Sequence, residues 1–319
     1  KKPEVLVFSC LTATYQWMLG IAADAKKIDP SVKTIFGGVH VSAVPEIVIK
    51  NSQVDYLVVG EGEASFPAIL KAIETGKHYG PIDNTWYRGD DGGIVKGIQK
   101  GFNQDLDSLP AFDKTLWEND IIIGDRYFTM TSRGCPYRCT FCFNNFFAEL
   151  PADKKTKGKY VRLRSIEHVM NELLEAKARY KTLRYIDFQD DVFTTDKEWL
   201  REFLVRYKSE INIPFQCLTH PKYMDDDIAR WMKEAGCMWV QLGVQSMDEE
   251  FKNKIKRFER SDHIKSALAS MNKYGIRVKV DHMFGLPGEP ISAQEKALSL
   301  YAEYVPSRIQ TFWTCFLPG

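Results

Sequence analysis

The sequence has no apolar run near the roughly 20 residues needed to cross a bilayer, so no transmembrane segment is expected within it. An excess of either charge is also missing. Lys and Arg total 43 against 42 Asp and Glu, a formal net charge of +1, which gives no nucleic-acid footprint and no pull toward anionic lipid. Cysteine is scarce, seven in 319 residues, and too unevenly spread for a secreted disulfide framework, so a reducing, cytoplasmic setting is expected. Solenoid repeats and low-complexity tracts are absent. The opening KKPEVLVFSC lacks the long apolar region and cleavage site of a signal peptide and reads as a first strand. Position 1 is not Met and the sequence stops at FLPG, so both ends are expected to be clipped.

Strand and helix alternate from residue 4 to 75. VLVFSC, KTIFGGVH and DYLVVGEGE read as buried strands. YQWMLGIAADAKKI has helical spacing that lines Trp17, Ile21, Ala25 and Ile28 along one side. VPEIVIKNS reads as a short helix, and SFPAILKAIETG as a helix closed by Gly76. This order predicts an α/β domain with a doubly wound parallel sheet, Rossmann-like and short of its upstream strands. Residues 77–125 change character: NTWYRGDDGGIVKG reads as a hairpin with its turn at Asp-Gly-Gly. NQDLDSLPAFDKTLWEND after it has the polar, proline-marked look of a linker.

From residue 126 the alternation becomes regular. YFTMTS, LRYIDF, PFQCLT, MWVQLGV, IRVKVDHMFG and IQTFWTCF read as strands. Amphipathic helices separate them; SIEHVMNELLEAKARY places Ile166, Val169, Met170, Leu173 and Leu174 on one face. Six units fall short of the eight that close a barrel, so residues 126–319 are expected to form a partial, TIM-like (β/α)6 barrel. Chemistry in such folds sits at the C-terminal ends of the strands.

TSRGCPYRCTFCFNN follows the first strand of that second domain and holds Cys135, Cys139 and Cys142. The spacing lets three thiolates meet on one loop. A structural zinc site normally takes four ligands, and His168 and Cys217, the next candidates, belong to other elements. Three thiolates suit a [4Fe–4S] cluster with one iron left open. A zinc loop and unligated thiols are the competing readings. Cys10, Cys217, Cys237 and Cys315 lie in or beside apolar strands and are expected to be buried and inert.

RGCPYRCTFC resembles the signature of the radical S-adenosylmethionine (SAM) enzymes, with an aromatic residue before the last cysteine. Upstream, FSCLTATY, FGGVHVSAVPE and DYLVVGEGE resemble the cobalamin-binding domain of the B12-dependent branch of that family. Downstream, DFQDDVFTTD, LGVQS and FGLPGE fall where that branch has its conserved strand ends. The resemblance implies a cobalamin-binding domain at 1–76, a hairpin and linker at 77–125 and a radical SAM domain at 126–319. It implies three cofactors: a [4Fe–4S] cluster, SAM and cobalamin. The implied chemistry is reductive cleavage of SAM to a 5′-deoxyadenosyl radical and methyl transfer from methylcobalamin to an unactivated carbon. Cyclisation or rearrangement without methyl transfer is the alternative outcome, and a non-catalytic corrinoid- or metal-binding module the alternative class. A small-molecule or natural-product-like substrate and an electron donor such as flavodoxin or ferredoxin are the implied partners.

The resemblance also nominates residues. Phe141 would meet the adenine edge of SAM, and Gln189, Asp190 and Asp191 stand where the family binds its amino group. The usual Gly-Gly-Glu is absent there, and paired acids are also ordinary turn residues. Gln245 and Ser246 would contact ribose or carboxylate. Arg257, beside Lys256, would pair with the carboxylate, although KNKIKRFER also reads as a solvated basic face. Gly285 and Leu286 would line the adenine. For cobalamin the candidates are Ser9, Leu11, Gly37, Gly38, His40, Gly60, Glu61 and Gly62. Small residues at strand ends let a flat ligand approach the backbone, whereas a His after a strand is more often a packing residue. No catalytic side chain is assigned.

Overall fold

The computed structural model describes residues 2–77, 80–89, 91–118, 124–151 and 157–315. The chain divides into two compact units, Lys1–Gln104 with Cys142–Tyr160, and Asp105–Phe141 with Val161–Cys315.

The first unit contains β1 (Val5–Ser9), α1 (Thr12–Ile28), β2 (Lys33–Gly37), α2 (Val39–Ala43), α3 (Pro45–Val48), β3 (Tyr56–Val58), α4 (Ser65–Thr75), β4 (Thr85–Arg88), β5 (Ile94–Lys96) and α5 (Asn144–Phe147). Its sheet runs in the order β1-β2-β3-β4-β5. β1, β2 and β3 are parallel, while the hairpin β4–β5 joins the edge antiparallel to β3. The sheet is therefore mixed rather than wholly parallel: after α4 the chain returns as β4 in the opposite sense to β3, and the hairpin turn reverses it once more into β5. Neighbouring residues feed opposite faces. Phe36 and Leu57 pack with Val41 and Val48, whereas Ile35, Tyr56 and Val58 pack with Ile69 and Tyr87. Gly76 closes α4 at φ 63°, a left-handed cap that suits glycine.

One expected face is overturned in α1. Trp17 is 68% exposed and Ile28 84% exposed, while Tyr15 and Ala22 are buried. Apolar residues run around this helix, and the side that packs on the sheet is the one carrying the smaller Ala22.

The second unit contains β6 (Arg126–Thr129), β7 (Ser132–Arg133), β8 (Arg162–Leu163), α6 (Ile166–Arg179), β9 (Tyr185–Phe188), α7 (Lys197–Arg206), β10 (Phe215–Thr219), α8 (Asp226–Glu234), β11 (Cys237–Gln245), α9 (Glu249–Lys254), α10 (Ser261–Lys273), β12 (Arg277–Phe284), α11 (Ile291–Tyr304) and β13 (Arg308–Trp313). Six strands in the order β13-β12-β11-β10-β9-β6 form one all-parallel sheet, the partial barrel. β7 and β8 make a separate antiparallel pair that holds the start of the cysteine loop. Helix starts are set locally: Ser165, Asp196, Asp225 and Asp248 each accept a backbone N–H from the first turn that follows, a cap worth about 1 kcal/mol. On α6, Val169, Met170 and Leu173 are buried, but Leu174 sits at the margin and is partly exposed. Along β11, Val240, Leu242 and Val244 enter the helix-side core. The pleat therefore sends Gln241, Gly243 and Gln245 to the concave face.

Candidate functional site

The cysteine loop is held from below by Asp190. This carboxylate, fully buried at the end of β9, accepts the Thr131 N–H at 3.0 Å and the hydroxyls of Thr131 and Ser132. Burial pushes its carboxyl up, and those donors oppose the shift. Asp190 is therefore a support for the loop and not an open carboxylate for the SAM ammonium, which corrects its assignment. Gly134 turns the chain at φ 88°. Arg138 folds back to donate to the carbonyls of Cys135 and Tyr137 at 2.9 and 3.0 Å.

None of the seven cysteines is in a disulfide. Cys139 is buried, and Cys135 and Cys142 are half-buried. Among the described residues no three His, Cys, Asp or Glu side chains are gathered tightly enough for a single metal ion. A cubane spreads its ligands over separate irons, so it asks for a wider set than one zinc. What favours an anionic cluster is the donors aimed at sulfur: Arg257 Nη1 lies 3.9 Å from Cys139 Sγ, and Asn144 Nδ2 3.7 Å from Cys142 Sγ. Hydrogen bonds to the sulfurs are among the controls a protein exerts on such clusters. Cys139 and Cys142 each carry a donor of the kind a cluster would use.

KNKIKRFER is a solvated face only in part, with Lys256 and Arg260 exposed. Lys254 is exposed, but Lys252 and Arg257 are buried. Arg257 Nε donates to Glu259 Oε1 at 2.8 Å, and Nη2 donates to the carbonyl of Gly243. Its fork is committed to Glu259, Gly243 and Cys139, which removes it as a clamp for the SAM carboxylate. Glu259 also faces Lys252 at 3.9 Å and His220 Nε2 at 3.3 Å. Burial opposes charge on Glu259, but His220, Arg257 and Lys252 outweigh it and hold the carboxyl below its usual range. Burial lowers His220 to about 4, leaving a neutral ring that stacks on Tyr137 at 4.0 Å between centroids. Tyr137 lies inside the cysteine loop. None of Lys252, Glu259, Tyr137 and Asn144 was nominated from sequence.

The other SAM candidates lie at the strand ends. Gln189 is exposed after β9 and donates to Asp187 Oδ1 at 2.6 Å; Asp191 is half-buried and has partners of its own. Phe141 is half-buried. Gln245 ends β11 at φ 64°, a conformation uncommon for a residue with a side chain and found at sites under constraint. Its Oε1 is buried without a partner among the described residues, as are Asp281 Oδ1 on β12 and Glu289 Oε1 after it. Burial pushes both carboxyls up. These orphaned acceptors, at the end of β11, within β12 and in the turn after it, suit a ligand rich in N–H and O–H donors, as SAM is. Ser246 is fully buried and its Oγ accepts from Asp248 N–H at 3.3 Å, which makes it part of the turn. Gly285, at φ 73°, faces the Trp313 ring, and Leu286 is buried.

In the first unit, Ser9 and Leu11 are exposed beside half-buried Gly37, Gly38, Gly60, Glu61 and Gly62 at the C-terminal ends of β1, β2 and β3. A shelf of backbone and small side chains suits a flat macrocycle, so these residues fit cobalamin. Gly38 has a second reason to be glycine: at φ 92°, a Cβ there would lie 2.7 Å from Cys10 N. Glu61 Oε2 accepts the Asn103 N–H at 2.8 Å. His40 does not belong to the shelf. It is 5% exposed, bonded through Nδ1 to Thr12 Oγ1 at 3.0 Å and packed on Tyr15, so it is a core residue. Cys10, Cys217 and Cys237 are buried as expected, with Cys10 pushed up to about 11 by burial, but Cys315 is exposed.

Comparison with known proteins gives these sites a family. Residues 129–300 match the radical SAM superfamily and residues 1–70 the B12 binding domain. Among curated proteins, an uncharacterized methyltransferase of Pyrococcus horikoshii, PH0819, is 26% identical over 90% of this chain and 61% of its own length. The cytidylyl-2-hydroxyethylphosphonate methyltransferase of Streptomyces wedmorensis is 24% identical, over 88% of this chain and 57% of its own length. The anaerobic magnesium-protoporphyrin IX monomethyl ester cyclase of Rubrivivax gelatinosus is 20% identical, over 99% of this chain and 57% of its own. The chain thus spans about 60% of the relatives it matches. The structure of the radical SAM methyltransferase TsrM from Kitasatospora setae, with tryptophan and a SAM analogue, superposes with a TM-score of 0.78 at 17% identity, covering 99% of this chain and 63% of that one. At that identity the likeness concerns the fold. No helix among the described residues is long and apolar enough to cross a membrane. A radical SAM domain implies a [4Fe–4S] cluster and SAM, and a B12 domain implies cobalamin. This chain belongs to the radical SAM superfamily, in its cobalamin-dependent branch.

Proposed function

We propose that the protein is a cobalamin-dependent radical SAM C-methyltransferase, with residues 1–76 binding cobalamin and 126–319 binding the cluster and SAM. The observation that carries the proposal is one chain holding both a three-cysteine loop with donors on its sulfurs and a small-residue shelf at the ends of parallel strands. Bound together, these cofactors supply an organic radical that removes hydrogen from carbon and a methyl group that replaces it. The protein's own part is to hold and orient. Cys135, Cys139 and Cys142 would ligate the cluster, while Gln245, Asp281 and Glu289 would receive donors of SAM. A cavity of about 490 Å³ in the barrel unit, walled by Leu109, Phe112, Phe128 and Met130 and reaching Ser132 and Arg133, gives room for a small-molecule substrate. The names of the relatives favour methyl transfer, and one of the three reported is a cyclase. A flavodoxin or ferredoxin is the class of electron donor such chemistry needs.

Reaction with [methyl-²H₃]SAM tests the proposal. Deuterated methyl in the product is expected, and turnover with no label would replace methylation by cyclisation or rearrangement. Cys135→Ala should abolish SAM cleavage; unchanged cleavage would remove the cluster from the argument.

A further inference from the structure

The buried charges behind Cys139 do not balance. Glu259 is 2% exposed and carries the negative charge. Arg257 Nε lies 2.8 Å from its Oε1, and Lys252 Nζ 3.9 Å from the same oxygen. Lys252 is wholly buried, and its ammonium makes no hydrogen bond among the described residues. His220 faces the other oxygen as a neutral ring. Two cations against one anion leave this unit with one net positive charge, and its Arg257 end reaches Cys139 Sγ.

A buried unpaired ammonium is expensive to retain unless something nearby is negative. Burial lowers the Lys252 ammonium below its ordinary value, and that shift is opposed by Glu259, Glu249 and Asp248, of which only Glu259 is buried. A reduced iron–sulfur cluster on Cys139 would supply further negative charge. Adding an electron there is easier beside a buried cation and harder beside a buried anion, and water and salt screen both much less at this depth. We infer that Lys252 and Glu259 are positioning residues that set the reduction potential of the cluster in opposite senses, acting through Arg257 and Cys139. This rests on the three-cysteine loop holding a cluster.

The test is a redox titration of the anaerobically reconstituted protein, with the reduced cluster followed by electron paramagnetic resonance. Glu259→Gln should shift the midpoint to more positive potential, and Lys252→Met to more negative potential. Glu259→Asp and Lys252→Arg keep each charge and should stay near wild type. A purely structural role would move both neutral variants the same way or neither, and either result overturns the inference. So does a shift in the charge-conserving variants equal to that in the neutral ones. If one neutral variant fails to assemble, the sign of the other decides. Wild-type protein with no iron–sulfur signal would sink the cluster reading as well, whereas a normal signal at unmoved potentials sinks this inference alone.

Discussion

Replacing Glu172 by Gln should unfasten the segment 106–117 and the strand leading to the cysteine loop. Glu172 is 7% exposed on the buried side of α6. Its Oε1 accepts from Tyr127 Oη and Thr129 Oγ1, each at 3.0 Å, and from Lys114 Nζ at 3.3 Å. Oε2 accepts from Arg164 Nη1 at 2.6 Å. Arg164 in turn holds the carbonyl of Met130 at 2.9 Å, one residue before the strut to Asp190. Burial alone would raise this carboxyl, but Arg164 and Lys114 outweigh it and hold it below its ordinary value. The Lys114 and Arg164 side chains are only 15% and 13% exposed, so water replaces little of the lost charge. Breaking a buried pair from one side typically costs about 3–5 kcal/mol; because both cations keep some solvent contact, the lower end, about 3 kcal/mol, is expected here. Urea unfolding of the apoprotein followed by circular dichroism measures it. Adding Lys114→Met to the Glu172→Gln variant should recover part of the loss, with a coupling of about 1–3 kcal/mol. A loss below about 1 kcal/mol, or strict additivity, would refute the argument that this carboxylate is the shared anchor of two buried cations.

Gly38→Ala must move backbone, since its Cβ would lie 2.7 Å from Cys10 N and 3.0 Å from Cys10 O. It should lose more than about 1 kcal/mol and much of its cobalamin retention, read from the absorbance of co-purified corrinoid. Gly76→Ala, at φ 63° with nothing within 4 Å, should keep its corrinoid, and equal losses in the two would remove the shelf argument. His220 has a folded value of about 4 against 6.5 unfolded, so the unfolded chain takes the proton first. Stability from this group is complete above pH 6.5 and declines as the pH falls toward 4. The drop from pH 7 to 5 amounts to about 2 kcal/mol at about 1.36 kcal/mol per unit. Denaturant midpoints at the two pH values should differ by that much more in wild type than in His220→Asn; equal differences would show the ring is not shielded.

The parallel strands were legible because both faces at the centre of the sheet are covered, which writes Ile35 and Phe36 of β2 and the whole of β3 as consecutive buried apolar residues. The cysteine trio was legible because its spacing is local. Partners distant in sequence were not. Lys252 sits on α9 among charges that read as solvent-facing, and only a carboxylate seven residues on, folded back beneath Cys139, makes it internal. Asp190 and Asp191 are adjacent acids with the same turn propensity; which one swings under Thr131 depends on strand register across β6 and β9. On α1, helical spacing offered two sides, and Trp17 marked the wrong one. Cys315 follows β13, an edge strand with one flank uncovered, so an apolar neighbourhood in the sequence did not translate into burial.

A sheet of eight strands that closes on itself plugs its centre with side chains. Among the described residues, six strands run from β6 to β13 and the two outer ones do not meet. An open sheet of this kind has no such plug, and each of its outermost strands keeps one edge without a strand partner. Phe128 and Met130, half in water at the β6 margin, line the cavity of the barrel unit there.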